Sequence, residues 1–208
     1  MQTNEQIAQD LLDIQAVTLS PQKPFVWASG IKAPIYTDNR LTIGYPEIRS
    51  RISAGLARLI IHEYPDVTDI GGVVTAGIPH ATSTADRLGL PLMYVRSKPK
   101  DHGAGKQVEG HVDKEAKVVL IDDLISTGGS VLKAAEAVEA EGITVLGVAA
   151  IFTYELPAAR ENFAAAKLPL VTLTNYSTLI RQAEKAKILT GEEKESLLTW
   201  REDPWAWK

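Results

Sequence analysis

The sequence predicts an α/β fold with a mostly parallel central sheet that helices cover on both faces. Apolar runs without polar alternation recur between residues 69 and 152, which is typical of strands buried on both sides. Segments with helical spacing separate these runs, as βαβ units require. The 208 residues are enough for one domain with a hydrophobic core.

The N-terminal part is predicted to contain two helices and two short strands. Residues 3–15 repeat apolar side chains at helical spacing, and a second helix opens at Pro46. Residues 25–27 and 35–37 are expected to be short strands around the turn ASGIKAP.

Regular alternation of strands and helices follows. The predicted strands are 69–74, 92–95, 117–122 and 144–152. The predicted helices are 80–88 and 130–141, which Gly89 and Gly142 close. Beyond residue 156 we expect two or three helices, a possible strand at 170–173, and a Trp-rich end whose indoles pack on the body.

The composition argues against several classes of protein. The chain has no cysteine, which excludes disulfides and Cys-zinc sites and fits a cytoplasmic protein. The net charge of −4 disfavours a broad nucleic-acid surface. The N-terminus lacks the pattern of a signal peptide, and no apolar run is long enough to span a membrane. We therefore expect neither nucleic acid nor membrane as a partner.

The segment VVLIDDLISTGGSV, residues 118–131, carries the clearest functional signal. Asp122 and Asp123 are expected at the carboxyl end of a strand, where ligands bind in such sheets. The small residues 126–130 follow, directly before a helix. Their N–H groups and hydroxyls, with the positive end of the helix dipole, predict a phosphate cradle. Neither a P-loop nor a dinucleotide fingerprint occurs in the chain.

The two carboxylates would repel a phosphate, so they must bind another part of the same ligand. Carboxylates accept hydrogen bonds from vicinal hydroxyls, and a ribose 5-phosphate offers both groups. A metal-binding or phospho-accepting aspartate pair is the alternative, but such a pair needs no cradle downstream.

A second signal is basic. Residues 96–106 hold Arg96, Lys98, Lys100 and Lys106 against the single acid Asp101. Glycines and a proline favour a mobile lid that would suit a polyphosphate leaving group. A solvated charged loop is the alternative, and His102 carries the same two interpretations.

These segments resemble those of type I phosphoribosyltransferases. VVLIDDLISTGGSV is similar to their phosphoribosyl-pyrophosphate (PRPP) motif. Residues 94–110 resemble the catalytic loop of orotate phosphoribosyltransferases, 25–42 their base-binding segment, and 71–81 their pyrophosphate-side loop.

The resemblance implies one domain over 1–208. Its core would span about 45–175, and a small hood would come from about 1–40 with part of the C-terminal region. It further implies transfer of phosphoribose from PRPP to orotate, through an oxocarbenium-like transition state. Mg²⁺ would be bound by the substrate rather than by a dedicated set of protein ligands. A homodimer with the lid shared between subunits is also implied.

The resemblance also assigns site residues. The catalytic set is Asp122, Asp123, Lys100, Arg96 and His102. PRPP would be bound by these five and by Leu124, Ile125, Ser126, Thr127, Gly128, Gly129, Ser130, Thr75 and Ala76.

Three positions depart from the family pattern. Some members carry Lys where this chain has Ala28 and Ala76, and some carry Arg after the strand that ends near Phe152, where this chain reads FTYELP. Orotate would therefore be held by main-chain groups of 27–36, including Ile35 and Tyr36, by Ser126 and by Arg40. The alternatives are a purine or uracil phosphoribosyltransferase and a non-catalytic PRPP-sensing regulator.

Overall fold

The computed structural model describes residues 3–27, 29–98, 107–111 and 113–207. Its N-terminal third holds two helices, four very short strands and a 3₁₀ helix. In chain order these are α1 Thr3–Asp13, β1 Val17–Leu19, β2 Phe25–Val26, β3 Lys32–Ala33, β4 Ile35–Thr37, the 3₁₀ helix Asn39–Gly44 and α2 Pro46–Glu63.

The remainder alternates between strands and helices. The elements are β5 Asp69–Val73, α3 Gly77–Leu88, β6 Leu92–Val95, β7 Val108–Glu109, β8 Lys117–Ile125, α4 Gly129–Ala140, β9 Thr144–Thr153, α5 Pro157–Ala166, β10 Leu170–Asn175, α6 Tyr176–Lys185 and α7 Gly191–Glu202.

The central sheet has six strands in the order β10-β9-β8-β5-β6-β7. Five run parallel, and β7 returns antiparallel to β6 at the edge. The predicted α/β class and the mostly parallel sheet are therefore confirmed. The connections run outward in opposite directions from β5 and β8, so the switch point of the sheet lies between these two strands. Ligands bind outside the carboxyl ends of strands at such a point.

Each face of the sheet has its own hydrophobic core. On one face, side chains such as Ile70, Val119 and Ile151 join residues of α1, α2, α3, α6 and α7. On the other face, Leu120 and Val148 join residues of α4 and α5. A strand whose side chains enter both cores reads as a continuous apolar run, which is why the sequence showed no alternation.

The structure differs from the predicted elements mainly at their ends. Strand β8 does not stop at residue 122, because its pairing with β9 continues to Ile125, opposite Thr153. Helix α3 begins at Gly77, three residues before the predicted start. Strands β1, β3 and β7 were not predicted, because two or three residues are too few to show a period of two.

The N-terminal segment is fastened to the C-terminal helix. Trp200 of α7 is fully buried, and its Nε1 donates to the Lys32 carbonyl oxygen at 2.9 Å. Its ring contacts Trp27 edge-on at 5.4 Å between centroids. The expectation that the C-terminal indoles pack on the body holds for Trp200, and Trp207 also packs against the core, whereas Trp205 is exposed. Within the described ranges, no helix is both long and apolar enough to cross a membrane.

Candidate active site

The acid pair lies inside β8 rather than after it. Strand β5 accompanies β8 only as far as Ile121, while β9 continues beside it to Ile125. Asp122 and Asp123 therefore lie beyond the end of the β5 pairing, at the switch point of the sheet. Asp122 is buried and Asp123 is half-buried.

The two carboxyl groups are held close to one another. Asp122 Oδ1 accepts a hydrogen bond from the Asp123 backbone N–H at 2.9 Å. Burial, and then the neighbouring Asp123 carboxylate, raise the pKa of Asp122 to about 7. Burial also raises the pKa of Asp123. Groups that donate hydrogen bonds to these oxygens, such as sugar hydroxyls, would favour the ionised forms.

The predicted phosphate turn connects β8 to α4, whose first residue is Gly129. Gly128 has a φ of 80°, a left-handed conformation that favours glycine. A Cβ atom at this position would also lie 2.5 Å from the Phe163 ring of α5. Asn162 of the same helix donates to the Thr127 carbonyl oxygen at 2.9 Å. Helix α5 therefore fixes the shape of the turn from behind.

The residues around this turn differ in what they can offer a ligand. Ile125 is buried in one core and Leu124 packs against the other, so only their backbone groups could face a ligand. Thr127, Gly129 and Ser130 are exposed, and Ser126 is half-buried. These four lie where α4 begins, and a helix N-terminus favours an anion.

Arg96 shares a cavity with the start of α4. The cavity has a volume of about 330 Å³, and its polar lining consists of Arg96, Ser97, Gln107, Ser130 and Lys133. Arg96 Nη1 lies 3.8 Å from a carboxylate oxygen of Glu109 on β7. The Arg96 backbone N–H donates to the Gln107 carbonyl oxygen at 2.9 Å. Two cations, Arg96 and Lys133, thus line the cavity beside the phosphate turn.

The pyrophosphate-side turn lies between β5 and α3. Thr75 is exposed and Ala76 is half-buried directly before the helix. The next residue, Gly77, packs so closely on β8 that a Cβ atom there would run into the Ile121 carbonyl oxygen and approach Asp122 Cα to 3.3 Å. This turn and the acid pair are therefore adjacent across the switch point.

The base-side segment, residues 25–40, presents mixed surfaces. Ile35 is fully buried, so only its main chain could bind a ligand, and its carbonyl oxygen accepts from Trp27 Nε1 at 3.2 Å. Tyr36 is 45% exposed. Arg40 makes two hydrogen bonds to Asp38, at 2.6 and 2.8 Å, while its side chain stays 64% exposed. The Asp38 carboxylate raises the pKa of Arg40 and holds its guanidinium in place.

Some predicted residues lie outside the described part of the chain. These are Lys100, Asp101, His102 and Lys106 of the basic segment, and Ala28. The sequence did not point to Lys133 in the cavity. It also did not point to Asn39, whose side chain contacts the backbone of Asp123 from 84 residues away. No spacing rule connects residues so distant in sequence.

His80 has a structural environment. It is 1% exposed, and its Nε2 lies 3.3 Å from the Thr42 hydroxyl. Burial lowers its pKa to about 4, so the imidazole is neutral at physiological pH. In the described ranges, no three His, Cys, Asp or Glu side chains form a group that could hold a metal ion.

The site therefore combines a hydroxyl- and glycine-lined turn at a helix N-terminus with a carboxylate pair, buried at Asp122 and half-buried at Asp123, at the switch point of a parallel sheet. Residues 50–169 match the phosphoribosyl transferase domain family. Fold and site together define a type I phosphoribosyltransferase.

Comparison with individual relatives identifies the family within this class of enzymes. The orotate phosphoribosyltransferase of Levilactobacillus brevis is 62% identical over 203 residues, which cover 98% of this chain and 97% of the relative. That of Lactococcus lactis subsp. cremoris is 57% identical over the full length of both chains. The crystal structure of orotate phosphoribosyltransferase from Aeropyrum pernix superposes with a TM-score of 0.76 at 30% identity, covering 88% of this chain and 99% of that one. The chain belongs to the orotate phosphoribosyltransferase family.

Proposed function

We propose that this protein transfers the phosphoribosyl group of PRPP to orotate, giving orotidine 5′-phosphate and pyrophosphate, a step of pyrimidine biosynthesis. The observation that carries the proposal is the placement of Asp122 and Asp123 beside the turn 126–130. A ligand that spans both must carry a phosphate at one end and hydroxyls a few ångströms away. The 5-phosphoribose of PRPP has this shape.

Each part of the site has a proposed role in the reaction. The bond between ribose C1 and the pyrophosphate oxygen breaks, and a ring nitrogen of orotate, which gives up its proton, bonds to C1. Asp122 and Asp123 would accept hydrogen bonds from the ribose hydroxyls and stabilise the positive charge that develops on the ring. Backbone N–H groups and hydroxyls of 126–130 would hold the 5′-phosphate. The Thr75–Ala76 turn and Arg96 would receive the departing pyrophosphate.

Mg²⁺ fits this site as a partner of the substrate. The described residues provide two adjacent carboxylates rather than a cage, whereas Mg²⁺ prefers oxygen ligands and keeps several waters. Bound together with the substrate, the ion would neutralise charge on the leaving group. Asp122 and Asp123 would hold the hydroxyl end of that complex.

Orotate is proposed to lie against the base-side segment. The support is the position of Arg40, whose exposed guanidinium is held by Asp38 and could meet the orotate carboxylate. Main-chain groups of 27–36 around Ile35 and Tyr36, together with Ser126, would bind the ring. No arginine follows β9 in FTYELP, so Arg40 is the cation that we assign to the carboxylate.

The direct test is the absorbance change of orotate in the presence of PRPP and Mg²⁺, with uracil and hypoxanthine as controls. We expect turnover with orotate to exceed that with either control by orders of magnitude, because a site that pairs the carboxylate leaves polar groups unpaired without it. Faster turnover of a control base would leave only the phosphoribosyl assignment. PRPP binding without turnover of any base would favour a regulator.

A homodimer in which the basic segment of one subunit acts at the site of its partner is also proposed, on the family resemblance alone. Mixing Lys100→Ala with Asp123→Asn and allowing subunits to exchange tests it. In a two-fold dimer, random exchange makes half of the dimers mixed, and each mixed dimer has one doubly defective site and one intact site. About a quarter of wild-type activity should therefore return. If Lys100 acts in its own subunit, nothing returns even when mass spectrometry verifies exchange.

The cytoplasm remains the proposed location, with the cysteine-free composition as its support.

A further inference from the structure

Asn39 is a buried polar side chain that contacts the backbone of the acid pair from the base side. It begins the 3₁₀ helix, directly between Asp38 and Arg40, and is 0% exposed. Its Nδ2 donates to the Asp123 carbonyl oxygen at 2.6 Å. Its Oδ1 is buried and has no hydrogen-bond partner among the described residues. A half-satisfied buried amide costs stability, so packing alone does not explain an asparagine here.

The contact falls at a particular point of β8. Beyond Ile121 this strand no longer has β5 beside it, and β9 alone continues the ladder. Asp123 lies in that one-sided stretch. Its N–H is held by the Asp122 carboxylate and its carbonyl oxygen by Asn39. The orientation of the peptide on each side of the Asp123 side chain is thus set by a side-chain hydrogen bond.

A second set of contacts holds the backbone of the 3₁₀ helix that carries Asn39. The Thr42 hydroxyl donates to the Asn39 carbonyl oxygen at 2.6 Å, and Arg49 Nη1 donates to the Ile43 carbonyl oxygen at 2.8 Å. The 3₁₀ helix is therefore anchored on α2, and the Asn39 carboxamide is presented to β8 from a fixed base. These contacts involve the backbone of the 3₁₀ helix, not the carboxamide.

We propose that Asn39 is a positioning residue for the transfer reaction, whose carboxamide ties the base-side segment to the backbone of Asp123 and so aligns that carboxylate with the ribose. This inference rests on the proposed function and adds a residue to it. Because Arg40 adjoins Asn39, the same hydrogen bond also sets the distance between the proposed carboxylate-binding cation and the acid pair. A misplacement of about 1 Å at a reacting centre lowers rates by about 10²-fold.

The test is a double-mutant cycle between Asn39 and Asp123. Asn39→Leu has nearly the same shape, removes the donor and also removes the unpaired Oδ1, so the fold should tolerate it. Asn39→Ala is a second variant in case leucine does not fit. We expect either variant to lower kcat about 10- to 100-fold. KM for PRPP and for orotate should change about threefold or less. The value of kcat is calculated per PRPP-binding site, and a calorimetric titration with PRPP gives the number of sites.

In the Asp123→Asn background the same Asn39 substitution should lower kcat by no more than about threefold, because the charge that Asn39 aligns is already absent. A loss of equal size in both backgrounds would overturn the proposal, since a residue that only supports the fold acts independently of the Asp123 charge. Thr42→Val is the matched control. It removes the buried hydroxyl that contacts the Asn39 carbonyl oxygen and His80, while Arg49 still ties the same 3₁₀ helix to α2. It should lower Tm similarly, with kcat within about threefold of wild type.

A kcat loss in Thr42→Val as large as that of Asn39→Leu, at equal Tm, would also overturn the role of the carboxamide. The proposed function fails in a different way. The wild-type protein would then not turn over orotate with PRPP and Mg²⁺, whatever the Asn39 variants do. Full activity of Asp123→Asn with orotate would instead contradict only the sugar-binding role of Asp123.

Discussion

The two sides of the active-site crevice are built differently. On the proposed sugar-phosphate side, Asp122 and Asp123 lie in the nine-residue strand β8, the turn 126–130 leads into the twelve-residue helix α4, and Phe163 supports the turn from behind. On the base side, residues 25–40 form strands of two or three residues in separate two-stranded sheets. The first side offers mainly backbone groups and buried charge. The second offers exposed side chains such as Tyr36 and Arg40.

This difference teaches where specificity can be changed. A binding surface made of core backbone is difficult to alter without disturbing the fold, whereas an exposed arginine can be replaced with little effect on stability. Substitutions on the sugar-phosphate side should therefore affect every base equally. Substitutions on the base side should discriminate among bases.

The largest effect is expected from the acid pair. Asp122→Asn and Asp123→Asn should each lower kcat/KM by roughly 10²- to 10³-fold, because asparagine keeps the shape but loses the charge that stabilises the ring. Steady-state kinetics with orotate and PRPP measure this loss. Asp69→Asn, a buried acid at the opposite end of the sheet, is the control and should retain activity. Full activity in both site variants would contradict the sugar-binding role.

The phosphate turn should be nearly as sensitive. Gly128→Val places a branched side chain at a φ of 80° and against Phe163, so the turn must move. We expect PRPP binding by calorimetry to weaken by about 10²-fold or more, in line with a displaced binding group, with cooperative melting retained. Gly142→Val is the control, because Gly142 has a φ of 81° but open space around it. Unchanged PRPP affinity in Gly128→Val would show that the turn does not hold the phosphate.

On the base side, the expected effect is smaller and selective. Arg40→Met keeps the aliphatic stem and removes the charge, and it should lower kcat/KM for orotate by about tenfold, as for the loss of one charged hydrogen bond. PRPP affinity should not change. Arg58→Met, an exposed arginine on α2, is the control. If Arg40→Met lowered PRPP affinity as much as it lowered kcat/KM for orotate, the proposed difference in function between the two sides would be wrong.

The smallest effect concerns stability and pH. The folded protein holds a proton on Asp122 up to about pH 7, whereas an unfolded aspartate releases it near pH 4. Stability without substrate should therefore fall as pH rises through this window. Asp122→Asn removes the dependence, so its Tm relative to wild type should be a few degrees higher at pH 8 than at pH 5. Thermal melts at both pH values measure this, and a pH-independent difference would contradict the raised pKa.

The sequence was sufficient to predict the strands of the central sheet, but it did not predict the contacts between segments that are distant in the chain. Strand 92–95 was predicted at its observed bounds, because the short apolar run LMYV lies directly between Pro91 and the charged Arg96. The end of β8 was misplaced, because two aspartates look like the start of a loop, while pairing with β9 keeps them in the strand. Asn39 could not be found, because its role depends on a contact with Asp123 that only the folded chain creates.

The contact of Gly77 with β8 has a consequence for how this crevice can change. A single added carbon at Gly77 would press on the Ile121 carbonyl oxygen and drive the Thr75–Ala76 turn away from Asp122. The distance between the Thr75–Ala76 turn and Asp122 therefore depends on the absence of a side chain at residue 77. Gly77→Ala and Gly77→Ser enzymes should widen that distance stepwise, because each adds side-chain atoms against the Ile121 carbonyl oxygen.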